Sequence, residues 1–266
     1  MNNALFKQTI KDNYKLFLIV FGVMSLYAVI IVSMYDAQDM ASWDELLKMF
    51  PESLINAMGF RVLDQSFVGY IAGYYYGFLM LLFPMIYLGS ASMRILSKYV
   101  DNTSMALLLA TPNKRNKISF TSAIFLLSSI SLLIMMVAFV IYLCAVLMVG
   151  EVANLSRFIL LNLNVVALFY LLSGIGFFFS AICNETKDAL MYGTGIPILF
   201  FVIDMLRNTN DKLDFLKYFS VYSLFDTNLI FSESNQVYLN MLVLNLLAIG
   251  CYYFGIRLFE KRDLPI

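Results

Sequence analysis

Long apolar stretches, punctuated by short clusters of charge, set the character of this chain before any motif is considered. A helix rises 1.5 Å per residue, so about 20 uncharged residues cross roughly 30 Å of hydrocarbon. Five uncharged runs meet that length: Leu16 to Tyr35, Gln65 to Met93, Ile118 to Val149, Phe158 to Asn184 and Val237 to Ile256. A sixth, Ala189 to Ile203, holds 15 residues and contains Gly193, Gly195 and Pro197. By hydropathy alone that run is either a short crossing or a re-entrant segment.

Charge separates the two readings. If six helices cross and the N-terminus is cytoplasmic, 12 of the 18 basic residues lie inside, among them Lys7, Lys11, Lys15, the cluster Lys114, Arg115 and Lys117, and Arg257, Lys261 and Arg262. Removing the fifth crossing would move the C-terminal group outside and weaken the bias that orients membrane proteins. The expectation is an all-α integral membrane fold of six transmembrane helices with both ends inside. Its parts are an elbow (1–15), spans at 16–35, 66–93, 118–149, 158–183, 189–206 and 237–256, a cytoplasmic helix at 98–110 and outer helices at 211–232. The first span exceeds a secretory signal core, and Met34-Tyr35-Asp36-Ala37 offers no small-residue cleavage site.

Composition agrees. The chain is 61% hydrophobic and 14% charged, with a mean hydropathy of +0.78, too little polar surface to cover a soluble globule. Its formal net charge is zero, so no field draws it to nucleic acid. Membrane lipid is the expected surrounding.

The available chemistry is narrow. Histidine is absent, which removes imidazole bases and ligands. No paired acidic motif occupies a span, no catalytic constellation can be assembled and no metal site is expected. Without a Gly-x-x-x-x-Gly-Lys-Ser/Thr loop the chain cannot itself hydrolyse ATP. Ion-coupled transport lacks the intramembrane carboxylates that would carry it. Cys144, Cys183 and Cys251 fall in or beside apolar runs and read as unpaired small hydrophobes.

Several elements point beyond lipid solvation. Gly69, Gly73 and Gly77 recur every four residues and form a packing stripe, either within the chain or across a dimer. Tyr70, Tyr74, Tyr75 and Tyr76 surround it and read first as an interfacial aromatic belt; Tyr74, Phe78 and Tyr192 are candidates for a substrate path. Serines and asparagines inside the spans read chiefly as interhelical hydrogen-bond partners. Residues 43–58 alternate apolar and charged positions and suit a helix on the outer surface, and 213–231 are too apolar for a solvated loop. From Lys98 to Ala110 the pattern is amphipathic and stops at Thr111-Pro112. That helix would dock on a soluble partner or rest on the inner leaflet.

The string Leu107-Leu108-Leu109-Ala110-Thr111-Pro112 before a basic cluster and a long third span, the terminal Phe259-Glu260-Lys261-Arg262-Asp263-Leu264, and the stretch from Tyr218-Phe219-Ser220 to Phe225-Asp226 resemble the ABC-2-type exporter permeases. The resemblance implies six helices per permease, an elbow helix, a coupling helix between spans two and three, and outer re-entrant helices between spans five and six. It also implies a second permease, as homodimer or heterodimer, and separate ABC ATPase subunits that bind ATP and Mg while this chain binds no cofactor. Asp101, Asn102, Met105 and Leu109 would then face the ATPase. Gram-positive members of the bacterial cytoplasmic membrane export amphipathic peptides, peptide antibiotics, lipids or drugs. A non-transporting immunity or sensor subunit would keep the same topology.

Overall fold

The computed structural model describes residues 2–35, 50–60, 63–64, 66–105, 114–150 and 154–262. Their helices are α1 (Asn3–Ser33), α2 (Glu52–Ala57), α3 (Phe67–Tyr74), α4 (Leu79–Ile95), α5 (Ser97–Asp101), α6 (Arg115–Met148), α7 (Leu155–Ile182), α8 (Thr186–Thr209), α9 (Thr227–Phe231) and α10 (Gln236–Lys261). Tight 3-10 turns occupy Asp211–Phe219 and Val221–Leu224. There is no strand among the described residues, and six helices are long and apolar enough to cross a bilayer. The chain is therefore an all-α, six-span, multi-pass membrane protein.

The questionable run is a full helix. α8 continues through Gly193, Gly195 and Pro197 for 24 residues, about 36 Å. Its apolar core is short, but polar turns at each end extend it: Asp188 lies in the first turn and Arg207 in the last.

α7 is the axis of the bundle. It packs along α10 and also against α4, α6 and α8, while α1 lies along α6 and α4. Burial follows this order: 67% of the apolar window of α7 is inside the bundle, against 22% for α1 and α8. The outward faces of α1 and α8 carry large apolar residues such as Ile19, Leu26, Leu199 and Leu206. In a bilayer those faces need no polar cover.

Two boundaries differ from the sequence reading. Residues 1–15 are not a separate elbow, because α1 runs unbroken to Ser33 and nothing between Lys7 and Lys15 breaks a helix. The second apolar run is interrupted between Tyr74 and Leu79. There Tyr76 N–H reaches the Ile71 carbonyl (3.1 Å) and Met80 N–H reaches the Tyr75 carbonyl (3.0 Å), both one residue wider than the α-helical spacing. Gly77 occupies this break because it has no side chain. A Cβ there would stand 2.6 Å from the Gly73 carbonyl oxygen and 3.0 Å from that of Gly59. Gly59, at φ +68°, brings the turn after α2 back onto Gly77.

Small residues also set the central crossing. A Cβ on Gly193 of α8 would lie 3.2 Å from the Gly176 Cα of α7, and one on Gly89 of α4 would lie 2.6 Å from Thr194 of α8. Three spans approach at this level with little side chain between them.

Candidate functional site: the charged ends of the bundle

Polar residues gather at the two ends of the bundle. At one end, Arg94 Nη1 donates to the Asp12 carbonyl (3.2 Å) and Asn2 N–H donates to Thr121 Oγ1 (2.8 Å). Arg262 Nη1 donates to the Ala181 carbonyl (2.7 Å), Arg262 Nη2 to Asn184 Oδ1, and the Arg262 carbonyl accepts from Arg115. Asp101 Oδ2 accepts the Thr186 hydroxyl (2.7 Å) and backbone N–H (3.3 Å). The start of α1, the segment from Arg94 to Met105, Arg115, the α7–α8 turn and the end of α10 therefore share one end. These are the segments that carry the basic majority in the charge argument.

Burial lowers the Arg262 guanidinium affinity for its proton and raises that of the adjacent Cys183 thiol, to which Asp188 adds. Cys183 sits in the turn that joins α7 to α8, and Arg262, just past the end of α10, donates to that turn at Asn184.

The opposite end is organised by Arg157. Its guanidinium pairs with Asp64 (3.3 Å) and Glu233 (2.7 Å) and lies 5.6 Å from the centre of the Phe231 ring. A single side chain thus joins the segment before α3, the start of α7 and the turn before α10. Nearby, Arg207 reaches Asp204 (3.3 Å) and Asp214 (3.4 Å). Lys217 holds the exposed Asp214 carboxyl below its ordinary pKa, chiefly through a 2.6 Å hydrogen bond. The 213–231 segment packs on this end through Tyr222 and Ile230, both buried. Burial pushes the Tyr222 phenol up, and nearby Asp204 adds to the shift.

The residues singled out from sequence divide. Asp101 and Asn102 are exposed at the charged end, as a contact with a soluble partner requires. Met105 is not: it is 1% exposed and packs into the chain's own core, so it cannot also fill a groove on another protein. The amphipathic pattern has its apolar side turned toward the bundle at this position. Leu109 and the string from Leu107 to Pro112 lie outside the described residues, as does most of 43–58, of which α2 is the described end.

The glycine stripe packs within the chain. Gly77 meets the turn at Gly59, and a side chain on Gly69 would collide with the Asp64 carboxylate, which caps this region by accepting the Ser66 N–H (2.9 Å). The four tyrosines are not a belt at the lipid interface, because all are buried. Tyr75 donates to the Met24 carbonyl of α1 (2.9 Å) and Tyr76 to Asn162 Oδ1 of α7 (2.8 Å). Their hydroxyls hold the broken second span against its neighbours.

Tyr74, Phe78 and Tyr192 do not converge. Tyr74 packs on Tyr70 and Phe60, and Phe78 on Phe201. Tyr192 stacks on Phe179 and lies nine residues before Phe201 on α8, about 14 Å of rise. The interhelical role of span hydroxyls and amides is seen in Ser131–Tyr170 (2.7 Å) and Tyr252–Ser173 (2.8 Å). Arg157 and the Gly89–Gly176–Gly193 crossing escaped the sequence reading, since their partners are on other helices and leave no local spacing.

No curated protein and no solved structure matches the chain. The profile of the ABC-2 family transporter proteins matches residues 6–264, from the first turns of α1 to just past the end of α10. The family implies a transport membrane subunit that pairs with an ABC ATPase; in a bacterium its place is the cytoplasmic membrane. The chain belongs to the ABC-2 family of transporter proteins.

Proposed function

We propose that this chain is the permease half of an ATP-driven exporter that moves an amphipathic or lipophilic cargo outward. The observation that carries the reading is the Asp101–Thr186 contact at the end of the bundle richest in basic residues. It links the segment between spans two and three to the first turn of the fifth span. An ATPase seated against the exposed Asp101, Asn102 and Thr103 would act on two spans at once.

ATP and Mg belong to that ATPase. A second permease, identical or related, is the counterpart that the weakly buried α8 favours, because its apolar face must meet lipid or protein. The cargo class rests on the aromatic, sparsely charged interior, which suits an amphiphile better than a sugar or an ion.

Co-expression with candidate ABC ATPase subunits tests the reading. The purified permease alone is expected to turn over no nucleotide, and the complex to hydrolyse ATP and move cargo into inverted vesicles. ATPase binding without cargo movement would assign the non-transporting role. Turnover by the clean permease, or failure to bind any ATPase, would overturn the proposal.

A further inference from the structure

A groove of about 400 Å³ opens on the side of the bundle between α1, α4 and α6, within the size range of small-molecule sites. Two edge-to-face aromatic pairs form its walls: Phe6 with Phe125 (6.1 Å) and Phe17 with Tyr87 (5.7 Å). Asn13 also lines it. This side chain is 1% exposed and donates to the Thr9 carbonyl (2.9 Å), yet its Oδ1 has no hydrogen-bond partner. A buried acceptor without a donor is costly and points to a ligand or water that the groove takes up.

Charge identifies the occupant. On α1, Lys7 and Lys11 lie on one helical stripe with the groove residues Tyr14 and Leu18. On α6, Lys117 precedes the groove residue Ser128 by three turns on the same face. All three lysines are exposed, and none forms an ion pair among the described residues. The adjacent carboxylate, Asp12, faces off this stripe and accepts from Gln8 (2.8 Å).

We propose that the groove is a binding site for one anionic phospholipid of the bilayer, with its phosphate on Lys7, Lys11 and Lys117 and one acyl chain along Phe17, Leu18 and Leu132. Asn13 stands deeper than the lysines, at the level of the glycerol esters. The site is separate from the ATPase contact and does not depend on the transport reading.

Native mass spectrometry of the purified full chain, offered phosphatidylglycerol or phosphatidylcholine with the same acyl chains, tests it. Phosphatidylglycerol is expected to be retained preferentially. The triple variant Lys7→Gln, Lys11→Gln, Lys117→Gln should lose that preference by about ten-fold or more, from the known attraction of each lysine to anionic lipid. Ser128→Trp fills the groove and should lower retention of both lipids. A Lys98→Gln, Lys212→Gln variant, which removes charge elsewhere, should change neither. Circular dichroism and monodispersity report folding of each variant, and Leu132→Trp replaces Ser128→Trp if the latter fails to fold. Equal retention of the two lipids by the native chain, or an unchanged preference in the folded triple variant, would overturn the site. Competition by soluble glycerophosphoglycerol as strong as that by the lipid would also overturn it, because the acyl groove would then contribute nothing.

Discussion

The carboxylate of Asp101 accepts both the hydroxyl and the backbone N–H of Thr186, so the last residue of α5 is bound to the first turn of α8. An acceptor at a helix start satisfies an amide that the helix itself leaves open. The bond therefore sets where the fifth span begins as well as what it is attached to.

Breaking this bond is expected to loosen coupling more than folding. Asp101→Ala should lower stability by about 1 kcal/mol, since the pair is exposed and partly replaced by water. ATP-driven transport should fall further than that loss explains. Thr186→Val and Asp101→Ala in a double-mutant cycle would reveal the shared term. Strictly additive effects on transport would mean that the contact is incidental.

Gly77 tolerates no side chain. Gly77→Ala is expected to cost about 1–3 kcal/mol through overpacking against the Gly73 and Gly59 carbonyls. Thermal melting in detergent measures it. Gly22→Ala is the control, since a Cβ there meets nothing within 4 Å and alanine favours the helix.

At the other end, Arg157→Gln should destabilise by about 1 kcal/mol, because its two ion pairs are partly exposed. High salt should reproduce part of the loss in the native chain and little in the variant. A salt response of equal size in both would show that Arg157 does not organise this end.

Cysteine chemistry checks the orientation. A cysteine placed at Ile266 is expected to react only from the cytoplasmic side of sealed cells. The native Cys183 should react slowly with a membrane-permeant maleimide at neutral pH. Its thiol is pushed up by burial and by Asp188, so less thiolate is present at a given pH and the rate climbs later than for a free thiol. Rapid labelling of Cys183 at neutral pH would contradict its partial burial in the α7–α8 turn.

Five spans were legible because each contains a long uncharged run, as a bilayer favours in a crossing helix, and the sixth, at 189–203, needed the distribution of basic residues as well. The break in the second span was not, because its cause lies elsewhere in the chain. No proline falls between Tyr74 and Leu79, and the turn at Gly59 together with the buried hydroxyls of Tyr75 and Tyr76 fixes it. Tyrosines beside a glycine stripe suggested an interface belt, and only the location of Met24 and Asn162 shows that they are structural. Met105 was misplaced for a related reason. An amphipathic stripe states that one side is covered, but not by which protein.

The crossing of α7 and α8 at Gly176 and Gly193 gives the fifth span the proportions of an unequal lever. Gly193 lies seven residues from Thr186 and sixteen from Thr209. A rod pivoting there moves its far end about twice as far as its near end, given the constant rise of the helix. In the proposed coupling, a displacement of about an ångström at Asp101, passed to Thr186, would become roughly two at Asn208, where α8 meets the outer turns. The close backbone approach at Gly176 and Gly193 brings the two helix axes together at the fulcrum, with Tyr192 stacked on Phe179 beside it. Substituting Gly193 would therefore change the mechanical advantage of the span without touching either end.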